Sequence, residues 1–419
     1  MRGQPFNIII ILFLFIILTD LYASRGLTQV SQGLTSRQRV VILTGFWLVT
    51  AVMLIWLMWL VFSYKDFEYG RFYQNVTIFF GAMVLLYIPK LSFNVFILIN
   101  DIGSVIKFLI SRISNPVPDN ALKITRVDFL IKLGLIISAI PFLSILWGIW
   151  KGKYNFTVER FVLRFPNLPE AFHGIRILQI SDFHIGSFYG NPDQVERAVD
   201  LINRENADYI LFTGDFVNNK AEELDEFIPL LSAIKARKGK FSILGNHDYG
   251  DYFQWESMEK KKLNMEDLYS SHEKMGFRLL RNEAVKLLEK GQELALIGVE
   301  NWGLPPFPQY GDLNKAMKSV KDMPFKILMS HDPSHWDAEV LGRSDIDLTL
   351  SGHTHGMQFA IRIPGWRWSP VKMRYPRWAG LYTEGKQKLY VNIGIGFIGF
   401  PGRVGTPPEI TVMELRREG

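Results

Sequence analysis

The chain has 419 residues and carries 47 Lys and Arg against 41 Asp and Glu, a formal net charge of +6. It has no cysteine, which excludes disulfides and thiolate metal sites, so any metal must be held by His, Asn or carboxylates. The basic residues are scattered and form no basic-aromatic RNA-binding pattern, so we expect no nucleic-acid partner, and a membrane-facing surface explains the charge equally well.

Apolar runs dominate the first 150 residues. A helix needs about 20 apolar residues to cross a hydrocarbon core, where it must satisfy its own backbone hydrogen bonds. Residues 6–22, 40–63 and 130–150 meet this requirement. Residues 73–110 are interrupted at Pro89-Lys90 and at Asn100-Asp101, and we interpret them as one kinked span with an amphipathic extension. The sequence predicts about four transmembrane helices in a membrane domain over residues 1–150.

The first apolar segment has the alternative interpretation of a cleaved signal peptide. No small-residue cleavage site follows it before Arg25, so we favour a retained helix. With four helices, the remainder of the chain lies on the same side of the membrane as the N-terminus. Positive residues are divided almost evenly between the two sides, and the orientation therefore stays open.

Residues 151–419 form a second domain, which contains all eight histidines. Strand-like runs alternate there with helical patterns, which indicates a layered α/β fold. The predicted strands are 176–181, 209–213, 241–244, 294–299, 325–329, 347–350, 389–392 and 409–415. The predicted helices are 192–206, 221–235, 256–275 and 313–320.

Five of the predicted strands end in polar clusters. These are Ser181-Asp182-Phe183-His184, Gly214-Asp215, Gly245-Asn246-His247-Asp248, Ser330-His331-Asp332 and Gly352-His353-Thr354-His355-Gly356. Side chains at the carboxyl ends of neighbouring strands converge on one crevice of an α/β sheet. Mixed carboxylate and imidazole sets bind divalent ions such as Mn, Fe, Zn or Mg. One cluster alone is usually a capped loop or a surface pair, but the ordered set predicts a metal site.

The order D-x-H, GD, GNHD, H before D-P, and GHTHG resembles the signature of the calcineurin-like metallophosphoesterase superfamily over residues 176–415. Within that superfamily, the chain resembles membrane-associated bacterial members, which share Gly380-Leu381-Tyr382 and the R-x-G-x-P-P-E-I segment at 403–410. The resemblance implies a two-sheet β-sandwich flanked by helices. It also implies an integral protein of the bacterial inner membrane.

The same resemblance implies the roles of the site residues. Asp182, His184 and His355 would hold one divalent metal, Asn246, His331 and His353 a second, and Asp215 would bridge both. The metals would be Mn, Fe, Zn or Mg, with Mn favoured, and a metal-bridging hydroxide would attack the phosphorus. His247 would act as an acid or charge stabiliser. The implied substrate is a phosphomonoester, phosphodiester or pyrophosphate. A lipid-linked one is suggested because superfamily members cleave UDP-diacylglucosamine.

Two positions depart from the family pattern. Asn218 stands where the family often has an Asp that pairs with the catalytic histidine, and we expect its amide oxygen to orient His247, with Asp248 as a further candidate. Met357 stands where relatives often have glycine after GHTHG. It is expected either to narrow the rim of the site or to pack.

Other features carry a structural interpretation. His173, His272 and His335 are expected to be structural or surface residues. The segment 365–378 mixes three Trp with basic residues, and a solvated loop and a loop that rests on lipid headgroups explain it equally well. An alternative function is a membrane scaffold or sensor with a weakly active domain, but that predicts missing metal ligands and none is missing. A nuclease would require a long basic groove, which the sequence lacks.

Overall fold

The computed structural model describes residues 4–63, 69–113 and 125–418. The chain divides into two compact units. One comprises Met1–Trp150 with Gly399–Pro401, and the other comprises Lys151–Ile398 with Gly402–Gly419.

Within residues 4–63, 69–113 and 125–150, the first unit contains four long helices. They are α1 (Gln4–Val30), α2 (Ser36–Ser63), α3 (Tyr69–Ile113) and α4 (Thr125–Trp150). Each contains a stretch long and apolar enough to cross a membrane. This confirms the four predicted helices. The predicted kinked span and its extension are one helix, α3, which continues through Pro89.

A charged residue lies inside this apolar unit. Asp20 of α1 is fully buried, and its Oδ1 is 2.6 Å from Nζ of Lys90 in α3. The hydroxyls of Thr50 in α2 and Tyr87 in α3 donate to Oδ2 at 2.6 and 3.0 Å. Because an unpaired charge is costly in an apolar interior, these contacts hold three helices in one arrangement.

The second unit is an α/β domain. Its strands are β1 (Thr157–Phe165), β2 (Arg176–Ile180), β3 (Tyr209–Phe212), β4 (Gly239–Ser242), β5 (Arg278–Leu279), β6 (Glu283–Glu289), β7 (Gln292–Gly298), β8 (Lys326–Met329), β9 (Leu348–Ser351), β10 (Ile361–Ile363), β11 (Trp366–Trp368), β12 (Gly380–Glu384), β13 (Gln387–Val391) and β14 (Glu409–Arg417). Its helices are α5 (Pro192–Arg204), α6 (Ile228–Ser232), α7 (Met258–Lys274) and α8 (Leu313–Met317).

Two six-stranded sheets form the domain. The first has the order β1-β14-β2-β3-β4-β5 and the second β12-β13-β9-β8-β7-β6, while β10 and β11 form a separate hairpin. Strands β2, β3 and β4 are parallel neighbours in the first sheet, as are β7, β8, β9 and β13 in the second. This architecture agrees with the expected two-sheet sandwich.

Alternation along the strands produces the layers, because successive side chains point to opposite faces. In β2, Ile177 joins a cluster shared with Leu296 and Ile327 of the second sheet. Its neighbour Leu178 packs on the other face, in the cluster that contains Val195 of α5. The second sheet is covered on its outer face by residues of α8 and by Trp336.

Several sequence predictions differ in detail from the structure. The predicted helix 221–235 is a 3-10 turn at Ala221–Leu224 followed by the short helix α6. Pro229 lies in the first turn of α6, where its missing N–H breaks no helical bond, so a new helix begins there. Strands β1, β5, β6 and β12 were not predicted, and neither was the hairpin of β10 and β11. The first four lie at sheet edges and are short or carry mixed polar sequences, which weakens the apolar signal of a strand.

The ion pair in the first unit generates a stability prediction. Lys90→Met leaves the buried Asp20 carboxylate without its cation and should lower the free energy of unfolding by on the order of 3 kcal/mol. The double variant Asp20→Leu/Lys90→Met removes both charges and should recover most of the loss. Thermal unfolding of the detergent-solubilised full chain measures the effect. A double variant no more stable than Lys90→Met would contradict it.

Candidate metal centre

The predicted site residues follow strands of both sheets. Asp182 and His184 follow β2, Asp215 follows β3, and Asn246 and His247 follow β4. In the second sheet, His331 follows β8, and His353 and His355 follow β9. The parallel strands bring these carboxyl ends to one edge of the sandwich. All eight side chains meet there, as the contacts among them show.

The first group consists of Asp182, His184 and His355, whose ligand atoms lie within 4.8 Å of one another. Nε2 of His184 is 3.0 Å from Nε2 of His355, and the latter is 3.2 Å from Oδ1 of Asp182. All three residues are buried. This set of nitrogen and oxygen donors is one that could hold a divalent cation.

The second group consists of Asp215, His331 and His353, again within 4.8 Å. Oδ1 of Asn246 joins it, at 2.8 Å from Nδ1 of His353 and 3.2 Å from Nε2 of His331. Oδ2 of Asp215 lies 3.1 Å from Nε2 of His331 and 3.6 Å from Nε2 of His184. Asp215 therefore contacts members of both groups.

The ring nitrogens that face away from the cluster show whether His184 and His331 could bind a metal. Nδ1 of His184 is 3.2 Å from the carbonyl oxygen of Val217, and Nδ1 of His331 is 2.7 Å from that of Thr213. A carbonyl oxygen only accepts, so each Nδ1 carries the proton. When these imidazoles are neutral, the lone pair of each Nε2 points into the cluster, and this is the tautomer that metal ligation requires.

His353 has its two ring nitrogens the other way round, with Nδ1 rather than Nε2 facing the cluster. Two residues outside the predicted site hold it in this orientation. Its Nε2 is 2.9 Å from the hydroxyl of Tyr375, which also lies 3.2 Å from Oδ2 of Asp332. This leaves Nδ1 of His353 facing Asn246. Asp332 follows His331 directly, which is a signal in the sequence, whereas nothing local identifies Tyr375.

Arg403 is a third contact that the sequence did not identify. It is fully buried, and its Nη2 lies 3.1 Å from Nδ1 of His355 and 2.8 Å from the carbonyl oxygen of Ile393. It belongs to the R-x-G-x-P-P-E-I segment, whose sequence predicts no contact with the site. A buried guanidinium supplies positive charge beside the carboxylates of the cluster.

The backbone around the site is unusual. Five of the site residues have positive φ angles, a left-handed conformation that costs free energy in residues other than glycine: Asp182, His184, Asp215, His353 and His355. Gly245 shows how closely the loops approach, because a Cβ there would lie 2.2 Å from Oδ1 of Asp215. Met357 also has a positive φ, of 52°, and its side chain is exposed, so it does not pack.

His247 is oriented differently from our expectation. Its Nδ1 is 2.7 Å from the backbone carbonyl oxygen of Asn218. The side-chain Nδ2 of Asn218 donates a hydrogen bond to the hydroxyl oxygen of Ser187. The side-chain oxygen of Asn218 therefore does not orient the imidazole. Asp248 does not compensate either, since its carboxylate accepts backbone N–H groups of Asp215, Phe216 and Gly245. These bonds hold the Asp215 loop.

The ionisation of the cluster follows from burial and charge. Burial lowers the pKa of His184 well below its usual value, and the carboxylate of Asp215 offsets this only in part. Burial raises the pKa of Asp215, but the charges of His331 and His247 outweigh it and hold that pKa well below the usual range. Burial lowers the pKa of His331, yet Asp215 raises it to about 10. The buried carboxylates thus require positive charge inside the cluster, which divalent cations would supply.

The remaining histidines lie outside the cluster. His173 is exposed. His335 is fully buried between Ser330 and Glu339, with its ring nitrogens 2.8 and 3.1 Å from their oxygens. His272 of α7 is fully buried, 2.8 Å from the hydroxyl of Ser242. None of these three belongs to a group that could hold a metal among the described residues.

Comparisons with known families match both units. Residues 4–153 match the family described as "Probable Calcineurin-like phosphoesterase, transmembrane domain". Residues 175–357 match the family described as "Calcineurin-like phosphoesterase".

Individual relatives are similar over 59% to 67% of the chain. An uncharacterized metallophosphoesterase of Bacillus subtilis, YkuE, is 32% identical over 59% of this chain and 82% of the relative. The UDP-2,3-diacylglucosamine pyrophosphatase LpxG of Chlamydia muridarum is 26% identical over 67% of this chain and 96% of the relative. A transmembrane protein with metallophosphoesterase domain from Danio rerio is 30% identical over 60% of this chain, and the match spans only 55% of that longer protein.

The buried His272 generates a pH prediction. Burial lowers the pKa of its imidazole to about 3 from the usual 6.5, so between these values only the unfolded state is protonated. The contribution of His272 to the free energy of unfolding is therefore complete above the unfolded pKa and falls as the pH decreases, by about 1.4 kcal/mol per pH unit. Denaturant unfolding from neutral to mildly acidic pH should show a shallower dependence for His272→Gln. Equal slopes in the two proteins would contradict the assignment.

Proposed function

Because the chain belongs to the calcineurin-like phosphoesterase family, we propose that residues 151–419 hydrolyse phosphoester or pyrophosphate bonds with the help of two divalent cations. The observation that carries the proposal is the position of Asp215 between two ligand groups. The four membrane-spanning helices make the enzyme a membrane protein. We place the boundary between the membrane and catalytic domains at residue 150.

The residues divide into two sets. Asp182, His184 and His355 would hold one cation, Asn246, His331 and His353 the other, and Asp215 would bridge them. When bound, the cations lower the pKa of a shared water and neutralise the phosphoryl oxygens. The oxygen and nitrogen donors suit Mn, Fe, Zn or Mg, and Mn is favoured. The complete donor set argues against a scaffold with a degenerate site.

His247 would not bind a metal. Its Nδ1–H donates to the carbonyl oxygen of Asn218, so its Nε2 is the atom available to the phosphoryl or leaving oxygen. Burial lowers the pKa of His247, with the charge of Asp215 opposing. A neutral carbonyl stabilises an imidazolium less than a carboxylate would, so the acid form depends on the negative charge of Asp215 and of the substrate. In its acid form, His247 stabilises charge on the leaving oxygen.

Tyr252 extends the site toward solvent. It is partly exposed, its hydroxyl accepts a hydrogen bond from Nδ2 of Asn246 at 2.9 Å, and its ring centroid lies 4.7 Å from that of His247. Burial raises the pKa of Tyr252 to about 12, so the hydroxyl keeps its proton at neutral pH. It can therefore donate to a phosphate oxygen beside His247.

We propose a lipid-linked substrate in a bacterial cell membrane. The support is the membrane anchor together with the similarity to LpxG, which is named for a lipid-borne pyrophosphate. A small hydrophilic phosphoester is the competing substrate class, and it needs no membrane anchor.

The direct test is a substrate panel with the full-length protein in detergent and Mn. We expect hydrolysis of a chromogenic phosphodiester and faster hydrolysis of a lipid pyrophosphate. Asp215→Asn removes the bridging charge and should abolish turnover, with a reduced metal content measured by inductively coupled plasma mass spectrometry. Activity that survives in Asp215→Asn, or metal-loaded protein inactive on every substrate, would contradict the proposal.

His247→Gln separates catalysis from metal binding. Because His247 would not be a metal ligand, the variant should keep the metal content while turnover falls by about 10²- to 10⁴-fold, the usual contribution of a general acid. The loss should be larger for alkyl than for nitrophenyl leaving groups, which need less protonation. The same loss for both leaving groups would exclude the acid role.

A further inference from the structure

The hairpin of β10 and β11 presents an apolar face to solvent. In its register Ile361 is opposite Trp368, and Ile363 is opposite Trp366, so these four side chains share one face. Ile361, Ile363 and Trp366 are each more than half exposed and Trp368 is 36% exposed. We call Ile361–Trp368 the interface hairpin.

The opposite face of the interface hairpin is basic. Both of its arginines are exposed, and Arg367 contacts the rest of the domain. Arg362 and Arg367 are the cross-strand pair on that face. Arg367 donates to the carbonyl oxygen of Ala379 at 2.6 Å and lies 5.4 Å from the ring centroid of Trp378, which is buried. These contacts fix the hairpin so that its apolar side faces outward.

The surrounding segment is positively charged. Residues 351–383 contain no Asp or Glu but include Arg362, Arg367, Lys372, Arg374 and Arg377, of which Arg377 is paired with Asp337 and Glu384. The exposed side chain of Met373 adds a further apolar group to the segment. Exposed Trp and Ile side chains flanked by cations are the composition of surfaces that insert into the headgroup region of an anionic membrane.

We propose that the apolar face of the interface hairpin docks on the surface of the lipid bilayer. The chain itself carries four membrane-spanning helices, so its second unit is tethered to a bilayer. A second copy of the chain fits less well. Four side chains are far from the roughly 800 Å² that a stable interface buries on each partner, and the basic segments of two copies would repel.

The hairpin also continues into the candidate metal centre. It begins six residues after His355, and Tyr375, seven residues past its end, bonds Nε2 of His353 at 2.9 Å. Docking would therefore hold the site beside the headgroups, where a phosphoester carried by a lipid is presented. This consequence rests on the proposed function, whereas the docking itself does not.

The absence of cysteine permits a direct test on the full chain. Ile363→Cys is labelled with bimane in discs of phosphatidylcholine and phosphatidylglycerol. The matched control is Leu288→Cys, because Leu288 is an equally exposed aliphatic residue of β6, at the sheet edge opposite β12. Compared with the label at 288, we expect the label at 363 to be quenched severalfold more strongly by a lipid with a nitroxide near the headgroup. We expect iodide to quench the label at 363 less than the label at 288. Equal quenching at both positions would overturn the proposal.

Two further readouts separate the alternatives. Strong spin–spin coupling between nitroxide labels at 363 that appears only with two copies of the chain per disc would show that a second chain covers the hairpin. That result would also overturn the proposal. Ile363→Asp should lower the ratio of lipid-substrate to chromogenic-substrate hydrolysis severalfold, and Leu288→Asp should leave this ratio unchanged. If the wild type hydrolyses neither substrate, the proposed function fails, and the quenching experiment still decides the docking.

Discussion

The arrangement of the site depends on the buried carboxylate of Asp215. Its Oδ2 lies between Nε2 of His331 at 3.1 Å and Nε2 of His184 at 3.6 Å, and its Oδ1 accepts the backbone N–H of His247 at 2.8 Å. Asp248 in turn accepts the backbone N–H of Asp215 itself. One carboxylate thus joins the loops after β2, β4 and β8 to its own loop after β3, and its buried charge favours positively charged groups around it.

The sandwich supplies the rigidity that such a cluster requires. Parallel strands in each sheet end at the same edge. The apolar core between the sheets keeps the two sets of strand ends close together. The loops adopt left-handed conformations at Asp182, Asp215 and His353, which is unfavourable for an isolated chain. Packing and hydrogen bonds of the whole domain compensate for this local cost.

The two units place opposite demands on charge. In the first unit, charge is scarce and compensated, as the Asp20 and Lys90 pair shows. In the second unit, buried carboxylates are concentrated at one edge, and a basic, aromatic hairpin lies outside it. In the proposals above, divalent cations would offset the buried carboxylates and so attract the negative charge of a phosphoester, while the bilayer would provide apolar surroundings for the hairpin.

The sequence by itself determined the four apolar helices, the strands that end in polar clusters and the eight residues that lie together at those strand ends, because hydrophobic periodicity and short motifs are local properties. It could not determine which atom of each histidine faces the cluster. Tyr375 and Arg403 contact His353 and His355 from positions 22 and 48 residues away. Likewise, Asn218 and Asp248 were given the wrong roles, because hydrogen-bond partners depend on how distant loops fold over one another. Only the packed sandwich decides those contacts.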